Sequence, residues 1–400
     1  MTTRRQLSFS SGELSVWATN SGRTLHPDSS EVTKEDGWIT GTRCPARVLN
    51  WLQKNFCDWI SNIISMKFST WQMAGEGVFP DPPNDVFLRV AYLPSQAEWA
   101  AVSYDDDPDY GLYYRSVDGV VWRPWGYAVG PLSYPMGCVS VQSSRVIFGT
   151  VNGLEHSTIG GTPTEVTNAT IGGGFADGVV TVDTKRPDSN YTIVVDYAGI
   201  MRIAATGVAG SWSSPTTAPS AHTTQVKKVI YSGVDDTWFY FAQVGTTMYL
   251  YVSYDDGDTW SSISVPSLDS QISGCIAYDP VSGRLVLSSG IVNDIAIAYS
   301  DDYGDTWTVA SVTWESDMDT FMEATLLSDV YSCGSGIWIG AGRRVYGRGF
   351  VFVSVDNAQT WRHVASLADT YGSASQIMSD GRRILLAGDT WIWASSGMGI

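Results

Sequence analysis

An eight-residue pattern, Ser-x-Asp-x-Gly-x-Thr-Trp, recurs along this chain and constrains its fold more than any other feature. It reads SYDDGDTW at 253–260, SDDYGDTW at 300–307 and, with alanine in place of glycine, SVDNAQTW at 354–361. A shortened version, SVDGVVW, covers 116–122. Self-similarity at intervals of about 50 residues is typical of repeat proteins, in which each repeat forms one supersecondary unit.

Each copy has the composition of a tight turn. Glycine supplies one residue with positive φ, the Asp side chain accepts hydrogen bonds from amides of its own loop, and the Trp covers the hairpin. We therefore predict a structural corner, with metal binding and catalysis as the alternatives. The positions that fill the pattern are Ser116, Asp118 and Trp122; Ser253, Asp255, Gly257, Thr259 and Trp260; Ser300, Asp302, Gly304, Thr306 and Trp307; and Ser354, Asp356, Thr360 and Trp361.

The segments around these turns alternate apolar and polar residues, as half-buried strands do. Two further strand-like runs precede each copy, which makes four antiparallel strands per repeat and predicts a β-propeller blade. Six such units run from about 85 to 366, including one with four predicted strands at 174–214. After the turns we expect fourth strands at Trp260–Val265, Trp307–Val312 and Trp361–Ser366.

The end of the chain supplies only three strands for a seventh unit, and the missing one is found near the beginning. Thr70-Trp71 repeats the Thr-Trp that opens the fourth strands. We predict that residues 71–74 pair with the strand around Trp393 and close the last blade, whose edge would otherwise stay exposed. The predicted fold is all-β: a seven-bladed β-propeller closed by an N-terminal strand, with a small, partly helical N-terminal domain.

The eight-residue pattern resembles the Asp-box, or BNR, repeat of sialidases and other β-propellers, where it joins the third and fourth strands of a blade. Sialidases also place an arginine in a Phe/Tyr-Arg-Ile/Leu-Pro motif, but Arg89 here is followed by Val90 and Ala91. We therefore expect no enzyme and no catalytic residues. The alternative is a glycoside hydrolase or lyase with two carboxylates, drawn from Asp235, Asp236 and the loop at 104–109.

Composition restricts cofactors and partners. The five cysteines are widely spaced and predict free thiols, and the four histidines form no zinc or hydrolase motif, so we expect no cofactor. The loop YDDDPDYG at 104–111 could hold calcium through Asp105, Asp107 and Asp109, although a solvated loop is the simpler interpretation. Beyond residue 67 the chain carries 16 Lys/Arg and 35 carboxylates, which disfavours nucleic acid as a partner.

Residues 1–67 lie outside the repeat and predict a separate domain, with the propeller over 68–400. Pro45 suits the first turn of a helix at about 45–64, along which apolar residues follow a heptad spacing. This helix is expected either to associate with sister helices, with a trimer favoured, or to pack on the propeller. The heptad residues are Leu49, Leu52, Phe56, Trp59 and Ile63.

The same segment resembles the virion-anchoring segments of bacteriophage tail proteins. Gly37-Trp38, Gly41, Pro45, Asn50-x-Leu52 and Trp59-Ile60 follow the order of that motif. The resemblance implies a virion structural protein of the tail fibre or spike type, assembled in the host cytoplasm and docked to other tail proteins through 1–67.

No export signal or membrane span is predicted from the sequence. The propeller is expected to bind a host-surface glycan, with WGYAVGPLSYP at 125–135 as a candidate contact loop. An assembly scaffold is a third possible class.

Overall fold

The computed structural model describes one propeller and not the segment that precedes it. The chain divides into two compact units, Met1–Ile64 and Ser65–Ile400. The predicted helix at 45–64 and its heptad residues lie outside the described part. The described stretches are 71–74, 89–105, 110–127, 135–142, 144–150, 152–172, 178–185, 191–208, 210–220, 226–234, 236–244, 247–265, 273–291, 294–313, 325–344, 349–367, 374–388 and 392–395.

Seven sheets form the described structure, antiparallel except for one added outer strand, and they are numbered here as blades I to VII. Within each blade the strands follow one another from the inside of the ring outwards. Blade I holds β2 (Arg89–Leu93), β3 (Glu98–Asp105), β4 (Tyr110–Ser116) and β5 (Arg123–Tyr127); blade II holds β6 (Pro135–Gln142), β7 (Arg145–Thr150), β8 (Gly153–Ser157) and β9 (Thr164–Thr167), followed by the short helix α1 (Asn168–Ile171). Blade III holds β10 (Val179–Thr184), β11 (Thr192–Asp196) and β12 (Met201–Ala204); blade IV holds β13 (Val226–Tyr231), β14 (Trp238–Val244), β15 (Thr247–Ser253) and β16 (Ser261–Ile263).

The remaining three blades follow the same plan. Blade V holds β17 (Ser273–Asp279), β18 (Arg284–Ile291), β19 (Asp294–Ser300) and β20 (Thr308–Val309), and is followed by β21 (Ser311–Thr313). Blade VI holds β22 (Thr325–Gly334), β23 (Ile337–Arg344), β24 (Gly349–Ser354) and β25 (Thr360–Ser366); blade VII holds β26 (Ala374–Ser379), β27 (Ile384–Gly388), β28 (Ile392–Ser395) and β1 (Trp71–Ala74). The innermost strands neighbour one another in a closed cycle, so the seven sheets form a ring.

The core lies between the blades because both faces of each sheet are covered. In β14, Trp238, Tyr240 and Ala242 pack towards residues of blade III such as Ile193. The alternate residues of the same strand, Phe239 and Phe241, pack towards blade V. The two-residue period of a strand therefore divides its side chains between two inter-blade cores. This explains why β14 reads as a continuous apolar run.

The ring is closed as the sequence predicts. β1 pairs antiparallel with β28, with Trp71 opposite Ser395 and Met73 opposite Trp393. On the inner side of the same junction, the Gln376 side chain bonds to both the N–H and the C=O of Val90, at 2.9 and 3.0 Å. Strand pairing at the rim thus completes blade VII, and side-chain bonds near the axis join blade VII to blade I. The predicted seven-bladed fold is confirmed.

Two details of the predicted strands are wrong. Within its described residues the unit at 174–214 has three strands, and an isolated bridge between Ile203 and Ser213 stands where a fourth was expected. The predicted strand at 307–312 is divided into β20, which stays in blade V, and β21, which pairs in parallel with β25 of blade VI. In that position β21 covers the outer edge of blade VI, which would otherwise expose unpaired backbone groups.

Candidate functional site

The four segments with the recurring pattern, 116–122, 253–260, 300–307 and 354–361, are called the Ser-Asp turns here. Each joins the third strand of a blade to the segment that forms or leads into its outermost strand. They therefore lie at the same end of the ring as the turns between first and second strands, and we call this the turn end.

The carboxylate of a Ser-Asp turn is engaged by the turn itself. In blade IV, Asp255 Oδ1 accepts hydrogen bonds from Ser253 Oγ and from the Thr259 N–H, both at 2.8 Å, and Oδ2 accepts one from Thr259 Oγ1 at 2.5 Å. Ser253 Oγ accepts the Gly257 N–H at 2.8 Å. Blades V and VI repeat these contacts at Asp302 and Asp356. These oxygens satisfy loop donors, as in Asx turns.

The shortened turn in blade I uses its aspartate in a related way. Asp118 Oδ1 accepts hydrogen bonds from the N–H groups of Val120 and Val121, at 2.9 and 2.8 Å, and from Ser116 Oγ at 3.0 Å. Ser116 Oγ accepts the Gly119 N–H at 2.9 Å. The same Ser and Asp therefore close a turn that is one residue shorter before its Trp.

Each full-length turn has two consecutive residues with positive φ, where one was expected. In blade IV these are Asp256 at 57° and Gly257 at 81°. In blade VI they are Asn357 at 59° and Ala358 at 64°, so an alanine occupies a conformation that usually favours glycine. A Cβ added to Gly257 would lie 2.4 Å from Ile193 Cδ1 of blade III, so this glycine is needed for close packing as well.

Three of the four Trp residues close their own turn. The indole N–H donates to the carbonyl three residues earlier: Trp260 to Gly257 at 2.7 Å, Trp361 to Ala358 at 3.0 Å and Trp122 to Gly119 at 3.1 Å. These three side chains are buried. Trp307 differs, because it is only partly buried and donates instead to Ser264 O of blade IV at 3.0 Å.

A second tryptophan supports two of the turns, and sequence reasoning missed it. Trp238 and Trp338 each lie on a second strand, opposite the Ser of the turn, and donate to Asp256 Oδ1 at 3.3 Å and Asn357 Oδ1 at 3.0 Å. Blade V has Leu285 at this position and Tyr303 in place of the Asp or Asn acceptor. Blades IV and VI therefore combine a Trp on the second strand with an Asp or Asn in the turn, whereas blade V combines Leu with Tyr. This correlated difference between the repeats was visible in the sequence.

Hydrogen bonding lowers the pKa of three turn carboxyls, those of Asp118, Asp255 and Asp302. Donation from Thr306 Oγ1 is the main cause at Asp302, and partial burial opposes it. At Asp255 desolvation raises the pKa, but the bonds from Thr259 and Ser253 outweigh it and leave the pKa below its usual range. At Asp118 the amides of Val121 and Val120 overcome desolvation in the same way. These carboxyls therefore remain ionised near neutral pH.

Contacts between neighbouring blades recur at the turn end. Lys185 of blade III binds Asp256 of blade IV at 2.8 Å and also contacts Asp236. Arg383 of blade VII donates to the carbonyl of Asp118 in blade I at 2.6 Å. In blade V, Arg284 contacts the carbonyl of Asn357 in blade VI. A cation near the first turn of one blade therefore binds the Ser-Asp turn of the next.

A salt bridge joins non-adjacent blades near the axis. Lys228 of blade IV and Asp329 of blade VI lie 2.6 Å apart, and the Lys228 side chain is 32% exposed. Asp329 also accepts the N–H of Ile377 in blade VII at 2.8 Å. Burial alone would lower the pKa of Lys228, but the carboxylate of Asp329 raises it above its ordinary value. This cluster links three blades.

A buried tyrosine and glutamate form a pair between blades I and II. Tyr113 Oη donates to Glu155, and the two residues are 1% and 0% exposed. Burial, followed by the charge of Glu155, raises the pKa of Tyr113 well above its usual value. The rings of Trp125 and Phe148 both stack with that of Tyr113, so the pair lies within the packed region between the two blades.

Among the residues considered for hydrolysis or calcium binding, the structure gives side-chain contacts for Arg89 and Asp236. Arg89 donates to Ser375 Oγ at 2.8 Å, and Asp236 contacts Lys185. Asp235, Asp107 and Asp109 lie outside the described residues, as does most of 125–135 beyond Tyr127. Among the residues that the structure describes, no group of three His, Cys, Asp or Glu could hold a metal. Within the same residues, no helix is long and apolar enough to cross a membrane.

Comparison with known proteins identifies the fold. No protein-family model and no curated protein matches the sequence. Among solved structures, YCF48 from Cyanidioschyzon merolae is similar, with a TM-score of 0.55 and 13% identity over 82% of this chain and 98% of that one. The WD40 β-propeller domain of Doa1 has a TM-score of 0.53 and 14% identity over 81% and 96% of the two chains.

An enzyme and a peptide complex are also among the similar structures. An ancestral GH74 enzyme has a TM-score of 0.55 and 16% identity, and the match covers 80% of this chain but only 46% of the enzyme. YCF48 bound to D1 peptide has a TM-score of 0.56 and 12% identity over 81% and 95% of the two chains. Identities this low show the fold alone. The described part of this chain is a seven-bladed β-propeller.

Proposed function

We propose that this protein is a structural component of a bacteriophage virion, in the tail or adsorption apparatus, and that its propeller recognises a host-surface glycan. The observation that carries the proposal is the closure of the ring by β1. Because Trp71 pairs with Ser395 within one chain, the propeller is a complete recognition domain that needs no second chain to finish blade VII. Residues 1–67 then supply a separate means of attachment.

The sequence of that attachment segment supports a virion protein. Its Gly-Trp and Gly-x-x-x-Pro elements, followed by the predicted amphipathic helix, resemble tail-anchoring segments. We propose that the helix forms a homo-oligomer, with a trimer favoured, and docks on other tail proteins. The hydrogen bonds of the Ser-Asp turns support their assignment as Asp-boxes, which are used here as corners of the scaffold.

Recognition by the propeller is favoured over hydrolysis by the chemistry of the described carboxylates. Asp255 and its counterparts are committed to their own turns, and Glu155 is enclosed with Tyr113. YCF48, which has a similar fold, has been solved with a bound peptide, so a propeller of this form can present a binding surface. Glycan contacts are proposed for loops at the end opposite the turn end, where the strands flanking 128–134 terminate.

A glycoside hydrolase is the second candidate, favoured by the structural similarity to an ancestral GH74 enzyme. The two proposals are separated by incubating the full chain with host polysaccharide. We expect retention of the protein on the polysaccharide without release of reducing sugar. Steady release of reducing ends would replace the binding proposal with hydrolysis.

Incorporation into particles tests the virion assignment. We expect mass spectrometry of purified particles to find this chain at a fixed ratio to other tail proteins. A variant without residues 1–67 should be absent from particles although its propeller is folded. If the full chain is missing from particles, the virion proposal is wrong.

A further inference from the structure

Two neighbouring Ser-Asp turns differ from the other copies because they carry tyrosines. Tyr254, in blade IV, is 59% exposed. It meets Tyr303 of blade V edge to face, with ring centroids 6.1 Å apart. Tyr303 in turn stacks on Tyr278, with centroids 5.9 Å apart and planes 18° from parallel. These three residues are called the tyrosine platform here.

The platform is not required for forming the turns. At the position of Tyr303, the other full-length turns have Asp256 and Asn357, which tolerate positive φ and accept a hydrogen bond from a tryptophan. Tyr303 has φ of 57°, and a bulky residue with positive φ is uncommon. Its ring also lies parallel to that of Phe239 at 6.2 Å, which supports the platform from below. Tyr303 therefore packs against the core between blades IV and V and also contacts the exposed ring of Tyr254.

The surroundings of the platform carry excess negative charge. Its two turns contain six aspartates and no Lys or Arg: Asp255, Asp256, Asp258, Asp301, Asp302 and Asp305. Within the described residues two cations bind them, Lys185 at Asp256 and Arg284 at Asp301. Asp305 is exposed and follows Tyr303 by two residues in the same turn, and the ring of Tyr303 contacts that of Tyr254. Burial raises the pKa of Tyr254, and the negative charge of Asp305 raises it further.

We propose that the tyrosine platform docks a basic polypeptide segment, with an Arg or Lys side chain over the ring of Tyr254 and paired with Asp305. A cation is attracted to the face of an aromatic ring, and Arg is the more frequent partner. The surrounding aspartates would steer a positively charged partner towards the ring. This surface lies at the turn end, so the proposal does not depend on glycan binding at the opposite end.

Three labelled probes distinguish this occupant from the alternatives: hexa-arginine, hexa-glutamate and the neutral sugar maltohexaose. Fluorescence anisotropy with the full chain at about 50 mM and about 300 mM salt measures each affinity, since added salt screens exposed charges. We expect hexa-arginine to bind and to weaken at high salt. Failure of hexa-arginine to bind, or preferential binding of either other probe, would overturn the proposal.

Substitutions at the ring separate the platform from the general acidity of the protein. Tyr254→Ala leaves net charge unchanged and should weaken hexa-arginine binding about threefold or more, while Tyr254→Phe retains the ring and the affinity. Tyr197→Ala, which changes an exposed tyrosine at the opposite end, is the matched control and should bind normally. Equal affinities for Tyr254→Ala and Tyr197→Ala would contradict the proposal.

A charge-matched pair of variants tests the role of Asp305. Asp305→Lys and Glu165→Lys change the net charge by the same amount, but Glu165 lies on β9 in blade II. We expect Asp305→Lys to weaken hexa-arginine binding at least about threefold more than Glu165→Lys does. Equal losses would show that only overall charge matters and would overturn the assignment. Unchanged thermal unfolding of each variant serves as the folding control.

Discussion

Blades IV and VII have the same four-stranded form, but they are made in different ways. In blade IV the turn SYDDGDTW connects β15 to the segment that leads into β16. In blade VII, Ser395 and Trp71 stand at the corresponding places, and they come from opposite ends of the chain. Ser253 Oγ accepts an amide of its turn, whereas Ser395 Oγ accepts the Ile384 N–H at 3.0 Å. Pairing at the outer edge therefore does not need a covalent turn.

The comparison teaches where the stability of the ring resides. Blade VII is completed by β1 at the rim, and it is joined to blade I by Arg383 at the turn end and by Gln376 near the axis. A continuous blade such as blade IV adds the hydrogen bonds of its Ser-Asp turn. We infer that removing the pairing segment harms blade VII more than removing one turn bond harms blade IV.

Removing β1 should have the largest effect. A chain that begins after residue 74 leaves the edge of β28 unpaired, whereas a chain that begins at residue 71 retains all four paired residues. We expect the shorter chain to lose about 4 kcal/mol or more of stability and to associate through the open edge. Chemical denaturation and light scattering measure these effects. Similar stability of the two chains would contradict the role given to β1.

Tryptophan replacements should show the next largest difference. Trp361 is 1% exposed and closes its own turn, so Trp361→Ala should cost about 3–5 kcal/mol. Trp307 is only partly buried, and Trp307→Ala should cost about 1–2 kcal/mol. Urea unfolding of both variants measures the free energy of unfolding. A larger loss for Trp307→Ala would mean that its bond to blade IV matters more than closure of a turn.

Exchanging glycine and alanine tests the turn backbone. Gly257→Ala places a methyl group against Ile193 at positive φ, and should cost about 2 kcal/mol or more. Ala358→Gly relieves the backbone but loses a buried methyl group, so its net effect should stay within about 1 kcal/mol. Thermal and urea unfolding supply the comparison. Equal losses of stability in the two variants would show that the need for glycine at residue 257 does not come from its packing against blade III.

Acid should reveal the smallest contribution, that of the turn carboxylates. Because the pKa of Asp255 is lowered on folding, its stabilisation is present above the ordinary carboxyl pKa and disappears as pH falls through the lowered value. Asp255→Asn should therefore cost less than about 1 kcal/mol at pH 7, given its exposure, and still less near pH 3. Thermal unfolding between these pH values, with Glu165→Gln as control, measures it. A larger loss of stability for Asp255→Asn at pH 3 than at pH 7 would contradict a carboxyl pKa that folding lowers.

The blades could be predicted from the sequence because alternating strand patterns and recurring turns are local features that repeat along the chain. The Thr-Trp pair at Thr70-Trp71 even indicated which segment closes the ring. Blade III lacks a fourth strand in the described residues, and β21 pairs with blade VI instead of blade V. Both features depend on contacts between blades, which local sequence patterns do not reveal.

The inter-blade contacts were harder to predict because they are far apart in the chain. Lys228 and Asp329 are separated by 101 residues, and Tyr113 and Glu155 by 42, so no local pattern announces either pair. The tyrosine platform likewise arises only when two turns are placed side by side. Local motifs thus predicted the scaffold, whereas the ring geometry determines which side chains meet.

The pairing of β1 with β28 can be tested most directly by a disulfide. Gln72 lies opposite Ala394, and directly opposed antiparallel residues have Cα atoms about 4.5–5.5 Å apart, within the range a disulfide spans. In the Gln72→Cys, Ala394→Cys double variant of the full chain, mass spectrometry after oxidation should find a cross-linked peptide within one chain. Cross-links only between chains, or none between these two positions, would contradict a ring that closes on itself.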